Sequence, residues 1–104
     1  MTRRCEKIIN GWKENIPVEV SFNDVKIVAE NFFDRFEKPR RGSHYTIYDH
    51  RLEMICKKYP EFCEFGRLGV ITIPVIKGRK VKKIWVKNII EAIDLISNFP
   101  KDRY

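Results

Sequence analysis

Long apolar runs are missing from this sequence. A membrane-spanning helix needs roughly 18–20 consecutive apolar residues, and no segment of the chain approaches that length. The basic start, Met1 to Cys5, is not followed by the apolar stretch of a secretory signal. The phosphate-binding loop of nucleotide hydrolases, the glycine pattern of dinucleotide-binding folds and an evident pair of catalytic carboxylates are also missing. We therefore expect neither a membrane span, nor a secretory signal, nor an enzyme of these classes.

Cysteine is scarce and shows no ligand pattern. Cys5, Cys56 and Cys63 form neither a C-x-x-C pair nor a zinc-type spacing. Three isolated cysteines favour small, mostly buried thiols in a reducing cytoplasm over a redox or metal role. The sequence therefore predicts a cytoplasmic protein with no metal and no cofactor.

Positive charge exceeds negative charge in this chain. Its 104 residues include 21 Lys and Arg against 14 Asp and Glu, a formal net charge of +7. The length suits one domain, and a hydrophobic content of 43% predicts a folded chain. Such a charge balance is typical of proteins that meet nucleic acid, an anionic surface or an acidic partner, although a merely soluble basic protein has it too.

Apolar residues at helical spacing predict the helices. Residues 3–14 form a first helix, and Ser21 caps a second that ends near Asp34. A third helix is expected within residues 49–69, where Pro60 would stop it. A last helix carries an apolar face made of Ile84, Val86, Ile89, Ile90, Ile93 and Ile96.

The sequence predicts strands at residues 36–41, 43–48 and 70–76. It predicts a connection at residues 15–20 and a basic turn at residues 79–83. In an α+β two-layer fold, the helices would pack on one face of a three-stranded antiparallel sheet and leave the other face open to solvent or a ligand. Residues 1–20 are expected to be an N-terminal extension and residues 21–104 the main domain, with residues 49–69 as an inserted excursion. Alternation in the second strand turns Ser43, Tyr45 and Ile47 to the core and His44, Thr46 and Tyr48 outward.

Gly42-Ser43-His44 is the most informative local feature. A glycine turn opens the second strand, and its first outward residue is a histidine, the side chain that most readily acts as a general acid or base near neutral pH. The basic run Lys38-Pro39-Arg40-Arg41 precedes it and suggests a substrate that carries phosphate. A histidine at this place can also simply cap a strand end, so this tripeptide alone leaves both interpretations open.

Two motifs in order carry a family resemblance. Arg41-Gly42-Ser43-His44-Tyr45 follows a helix that ends in Phe33, and Thr72-Ile73-Pro74-Val75 precedes a turn of glycine and lysine and the helix through Ile96. Over residues 21–97 the chain resembles the HicA toxins of HicAB toxin–antitoxin pairs. The segment 49–69 is longer than the usual link of that family, and Ile76 and Lys77 stand where it often has a second histidine or a small polar residue.

The resemblance implies an α-β-β-β-α fold similar to the double-stranded-RNA-binding domain. It also implies an mRNA endonuclease that needs no metal, uses His44 as its catalytic histidine and is neutralised by a HicB-type antitoxin. Metal-free RNA cleavage needs a base for the 2′-hydroxyl, an acid for the leaving oxygen and cations for the phosphate charge, and His44 could be the base or the acid. The residues expected to bind RNA are Arg40, Arg41, Gly42, Ser43, Tyr48, Lys80, Lys82 and Lys83.

His50 is the second histidine of the chain, and Asp49 beside it could orient its ring. Six residues of continuous strand span about 20 Å, so His44 and His50 could share a phosphate only through a bend after Tyr48 or through a second chain. Two other functions stay open at this point. One is an RNA-binding module that does not cut RNA, and the other is a protein-interaction domain for an acidic partner.

Overall fold

Amphipathic segments form the helices, and three of these helices begin at a polar side chain that satisfies their first N–H groups. The computed structural model of the chain describes residues 2–63 and 69–99. Side-chain oxygens of Thr2, Ser21 and Asp49 accept hydrogen bonds from the first turns of three helices. The described helices are α1 (Arg3–Glu14), α2 (Phe22–Phe32), α3 (His50–Lys58), a short 3-10 helix (Pro60–Phe62) and α4 (Lys83–Asn98).

Five short strands are described: β1 (Glu19–Ser21), β2 (Arg35–Glu37), β3 (His44–Tyr48), β4 (Val70–Pro74) and β5 (Lys80–Lys82). β3 lies between β2 and β4 in a three-stranded antiparallel sheet, so the predicted α+β class and the predicted sheet are confirmed. β1 pairs with β5 in a second, two-stranded sheet. The predicted connection at 15–20 and the predicted turn at 79–83 are therefore wrong in part, because each contributes a strand that only the pairing of distant residues stabilises.

A single stretch of chain joins the two sheets. The Val75 N–H donates to the carbonyl of Ser43 at 2.8 Å, and the Ile76 N–H donates to the carbonyl of Lys80 at 2.7 Å. Successive N–H groups of an extended chain point to opposite sides, so Ser43 and Lys80 flank residues 75–76 on the two sides. The β2-β3-β4 sheet therefore continues through these residues towards β5 and β1.

Alternation divides the two sheets into a buried face and an outer face. The buried face is formed by residues such as Ile47, Ile73 and Val81, which are fully buried. α2 and α4 contact strands β2, β4 and β5, and most of the predicted apolar face of α4 is buried, but Ile84 is 59% exposed, so its predicted place in the core is wrong. The outer face, as we call it here, consists of His44, Thr46, Tyr48, Thr72, Pro74, Lys80 and Lys82.

The N-terminal segment takes part in the core. α1 coincides with the helix predicted for residues 3–14. Its apolar side buries Cys5, Ile9 and Trp12 in the same cluster as the sheet residues, and α1 contacts both α2 and α4. Burial raises the pKa of the Cys5 thiol, so this group is an unreactive part of the core.

The predicted helix within residues 49–69 is α3, and it ends before Pro60 as expected. The prediction of three free thiols is wrong, because a disulfide joins Cys56 to Cys63 across the 3-10 helix. Residues 1, 64–68 and 100–104, which belong to the predicted extension, the predicted excursion and the predicted main domain, lie outside the described residues. In the part of the chain that is described, no helix is both long and apolar enough to cross a membrane.

Candidate functional site

His44 begins β3 and lies exposed on the outer face, as the alternation predicted. Gly42 makes the preceding turn with a φ of +80°, a conformation that favours glycine. Across the sheet His44 is paired with Pro74. Within residues 2–63 and 69–99 no hydrogen bond or ion pair involves the His44 ring, so both ring nitrogens are free to exchange protons with a bound molecule.

Two basic segments leave the sheet at the same end as His44, which we call the histidine end. Arg40 and Arg41 are exposed in the segment that enters β3. The Val75–Ser43 hydrogen bond places the exit of β4 beside that segment, and Lys77 and Arg79 are exposed in the turn that follows. The basic residues of this turn can act on a phosphate beside His44 only if the turn lies near the start of β3. The register of β3 and β4 meets that condition.

Lys80 and Lys82 lie on the outer face of β5. Both are exposed, and the residue between them, Val81, is buried. Lys80 lies two strand spacings from β3, a lateral distance of about 10 Å. Lys82 lies opposite Glu19 of β1 in the strand register, and Lys83 is exposed at the first position of α4.

Lys77 and Arg79 are two cationic residues that were not among those expected from the sequence to bind RNA. Lys77 has a φ of +50° and, with Gly78, forms the tight turn between residues 76 and 80. The glycine could have indicated a short hairpin turn, which here consists of residues 77–79. That turn carries both side chains to the histidine end.

Tyr48 lies at the opposite end of β3. The strand rise places it about 13 Å from His44. Its hydroxyl donates a hydrogen bond to Glu53, and the guanidinium of Arg35 lies 4.4 Å from the centre of its ring. The bond to Glu53 and partial burial raise the pKa of the Tyr48 hydroxyl. Glu53 thus occupies the hydroxyl of Tyr48, and Arg35 covers one face of its ring.

His50 is held by a carboxylate that the sequence gave no reason to select. Asp34 Oδ2 lies 2.6 Å from His50 Nδ1 and accepts the His50 backbone N–H at 2.8 Å. Partial burial alone would raise the pKa of Asp34, but the hydrogen bonds from His50 outweigh it and lower the pKa. A bend after Tyr48 does exist, yet it brings His50 to Asp34 at the far end of β3, away from His44.

Asp49 does not orient the ring of His50. Its carboxylate is fully buried and pairs with Arg51 at 2.8 Å, while it also caps the first N–H groups of α3. Asp34, Asp49 and His50 do bring one potential ligand atom each within 4.8 Å of one another. Because Arg51 and the helix already hold the Asp49 oxygens and Asp34 holds His50 Nδ1, these donors do not suit a metal ion.

Comparison of the chain with protein-family models, with curated proteins and with solved structures finds no match. The chemistry at the histidine end therefore has to be judged from its own residues.

Proposed function

We propose that this protein is a metal-independent endoribonuclease of the HicA toxin type, with His44 as the general acid or base. The observation that carries the proposal is the exposed His44 ring, which has no partner among the described residues and lies between two basic segments. One segment contains Arg40 and Arg41, and the other contains Lys77, Arg79 and Lys80.

RNA can be cleaved by its own 2′-hydroxyl: a base removes the hydroxyl proton, the 2′-oxygen forms a bond to the adjacent phosphorus, and the bond to the 5′-oxygen breaks as that oxygen takes a proton from an acid or from water. Cations stabilise the charge that develops on the phosphorus oxygens. A histidine side chain is suited to take that proton at neutral pH. The arginines bind phosphate oxygens through two parallel N–H groups, whereas the lysines act as point charges. Gly42 and Ser43 leave room for a phosphate to approach the chain next to the ring.

The order of elements supports the finer fold assignment that belongs to this proposal. α2, β2, β3, β4 and α4 follow the α-β-β-β-α order of the double-stranded-RNA-binding-domain-like fold. In that order α3 and the 3-10 helix are an insertion between the second and third strands, β5 is an additional strand before the last helix, and α1 and β1 precede α2. The proposed substrate is mRNA, and the proposed partner is a HicB-like antitoxin that covers the histidine end. The proposed location is the cytoplasm, where such a substrate occurs, although the Cys56–Cys63 disulfide is of a kind more usual in oxidising compartments.

The decisive experiment compares wild-type protein with His44→Ala and with His50→Ala as the matched control. The purified chains are incubated with mRNA in the presence of EDTA, and in parallel each is expressed in bacteria while growth and the integrity of total RNA are followed. We expect His44→Ala to lose cleavage at least a hundredfold, with RNA affinity nearly unchanged. His50→Ala should cleave like wild type.

Other results point elsewhere. If wild type binds RNA but never cuts it, the protein is an RNA-binding module. If it neither cuts nor binds RNA at physiological salt, the basic surface serves an acidic protein partner. Equal cleavage by wild type and His44→Ala would show that another residue carries the reaction.

A further inference from the structure

A cavity lies between α2 and the β2 edge of the β2-β3-β4 sheet. It has a volume of about 290 Å³, and we call it the aromatic pocket. Its lining combines three aromatic rings with two cations and one carboxylate: Phe22, Phe36, Tyr45, Lys26, Lys38 and Glu30. None of these side chains takes part in the proposed cleavage.

The three rings form one cluster. The Phe36 and Tyr45 rings are nearly parallel, with centroids 5.3 Å apart and an angle of 19° between them. Phe22 lies 4.7 Å from Tyr45 and 6.1 Å from Phe36. All three rings are only half-buried, although their neighbours along the same face, such as Ile47, are fully buried. The exposed ring surface is therefore available to a planar ligand.

The charged residues are exposed around these rings. Lys26 and Glu30 lie one turn apart on α2, and Lys38 follows directly after β2, level with Tyr45 in the continued register. No ion pair involves Lys26, Lys38 or Glu30 within the described residues. An aromatic floor with unpaired lysines suits a ligand that has both a flat ring and an anionic group, which is the chemistry of a nucleotide.

Glu30 narrows the choice of base. An ionised carboxylate only accepts hydrogen bonds, and among the RNA bases guanine is the one that offers two adjacent N–H donors on its pairing edge. We propose that the aromatic pocket binds a guanine nucleotide: the base stacks on the cluster of Phe36 and Tyr45, Glu30 accepts from the base, and Lys38 and Lys26 face the phosphate.

The ligand could be a free nucleotide or a guanosine within an RNA strand. Tyr45 directly follows His44, so the aromatic pocket and His44 lie on two sides of one strand end. In the second case the aromatic pocket would select the base beside the cleaved phosphate, and only this part of the inference rests on the proposed function.

The test is calorimetric titration of the full chain with the 5′-monophosphates of guanosine, adenosine, cytidine and uridine. We expect guanosine monophosphate to bind about tenfold more tightly than adenosine monophosphate, since a hydrogen bond to a charged group is lost with adenine. Phe36→Leu should weaken binding about tenfold through lost stacking. Lys38→Gln should weaken binding and reduce its salt dependence, whereas the control Lys87→Gln, an exposed change on α4, should do neither.

Glu30→Gln keeps the shape of the side chain but leaves one uncharged acceptor oxygen, so it should reduce the preference for guanine. Because Lys38 and Glu30 are exposed, these variants test the pocket even if Phe36→Leu fails to fold. Equal affinity for the four nucleotides, or equal weakening by Lys87→Gln, would overturn the inference, and so would absence of binding to both guanosine monophosphate and a guanosine-containing RNA hexamer. A hexamer that binds where the free nucleotide does not would identify the RNA strand as the ligand.

The two proposals fail separately. If the protein binds nucleotides but does not cleave RNA, the ribonuclease proposal fails and the proposal for the aromatic pocket stands. If the protein binds no nucleotide, and it cleaves RNA through His44 at sites that neither Glu30→Gln nor Lys38→Gln changes, the proposal for the aromatic pocket fails and the ribonuclease proposal stands.

Discussion

Replacement of Asp49 by alanine should strongly destabilise the fold. The carboxylate is fully buried, receives Arg51 Nη2 at 2.8 Å and Nε at 3.0 Å, and accepts the Arg51 backbone N–H at 2.9 Å. Arg51 in turn donates to the carbonyl of Phe32 at 2.8 Å, so this network ties the start of α3 to the end of α2. Loss of the Asp49 carboxylate removes the cap of α3 and leaves the partly buried guanidinium of Arg51 without this carboxylate.

Loss of a helix cap costs about 1 kcal/mol, and breaking a buried ion pair costs about 3–5 kcal/mol. The Arg51 side chain keeps 27% exposure, which reduces the penalty on its charge. We therefore expect Asp49→Ala to lower the free energy of unfolding by about 3 kcal/mol. The measurement is urea denaturation followed by far-UV circular dichroism at pH 7.

Asp94→Ala is the matched control, because it removes a carboxylate that lies 3.3 Å from Lys13 at the surface. Such exposed pairs contribute about 0–1 kcal/mol. Asp49→Asn should fall between the two variants, since the amide oxygen can still cap α3. A loss below about 1 kcal/mol for Asp49→Ala would refute the view that the buried pair anchors α3.

Three further perturbations probe separate features of the fold. Reduction of the Cys56–Cys63 bridge, whose cysteines are seven positions apart, should lower the free energy of unfolding by about 2.5 kcal/mol through loop-closure entropy; an unchanged urea midpoint after reduction would contradict this. Asp34 has a lowered pKa through His50, so its contribution is complete above its ordinary pKa of 3.8 and is lost as the pH falls below that value through the folded-state pKa; the acid-unfolding curve of His50→Ala should show less of this loss, and identical curves would be evidence against it. Gly69→Ala should cost more than Gly42→Ala in a thermal melt, because both have positive φ but a Cβ at Gly69 would lie 2.8 Å from the Asp49 carbonyl oxygen; equal melting temperatures would show that this close approach relaxes freely.

Local pattern in the sequence predicted much of the secondary structure. Helical spacing placed α1, α2 and α4, and the side-chain oxygen at Ser21 fixed where α2 begins. These signals work because a helix is stabilised by contacts between residues three and four positions apart. Alternation likewise placed His44 outward and Ile47 inward, because the two faces of a strand follow directly from the order of its residues.

Pairing between distant segments was not readable in the same way. β1 and β5 are each three residues long and gain their hydrogen bonds from one another across about sixty residues. The Cys56–Cys63 bridge and the Arg51–Asp49 pair join residues that are close in the chain, but both depend on how the turn before α3 and the 3-10 helix after it fold. None of these features has a periodic signal in the sequence.

The features of the candidate site also fall into those set by local sequence and those set by contacts between distant residues. By itself the sequence determined a basic chain, a glycine turn and an outward histidine at the start of a strand, because these depend on composition and local geometry. The tertiary structure alone decided that the turn at 77–79 lies at the same end of the sheet as His44, that Asp34 holds His50 at the far end of β3, and that Phe22 of α2 meets the rings of Phe36 and Tyr45. Each of these arrangements brings together residues remote in the chain, and strand register and helix packing produce them only after the core has formed.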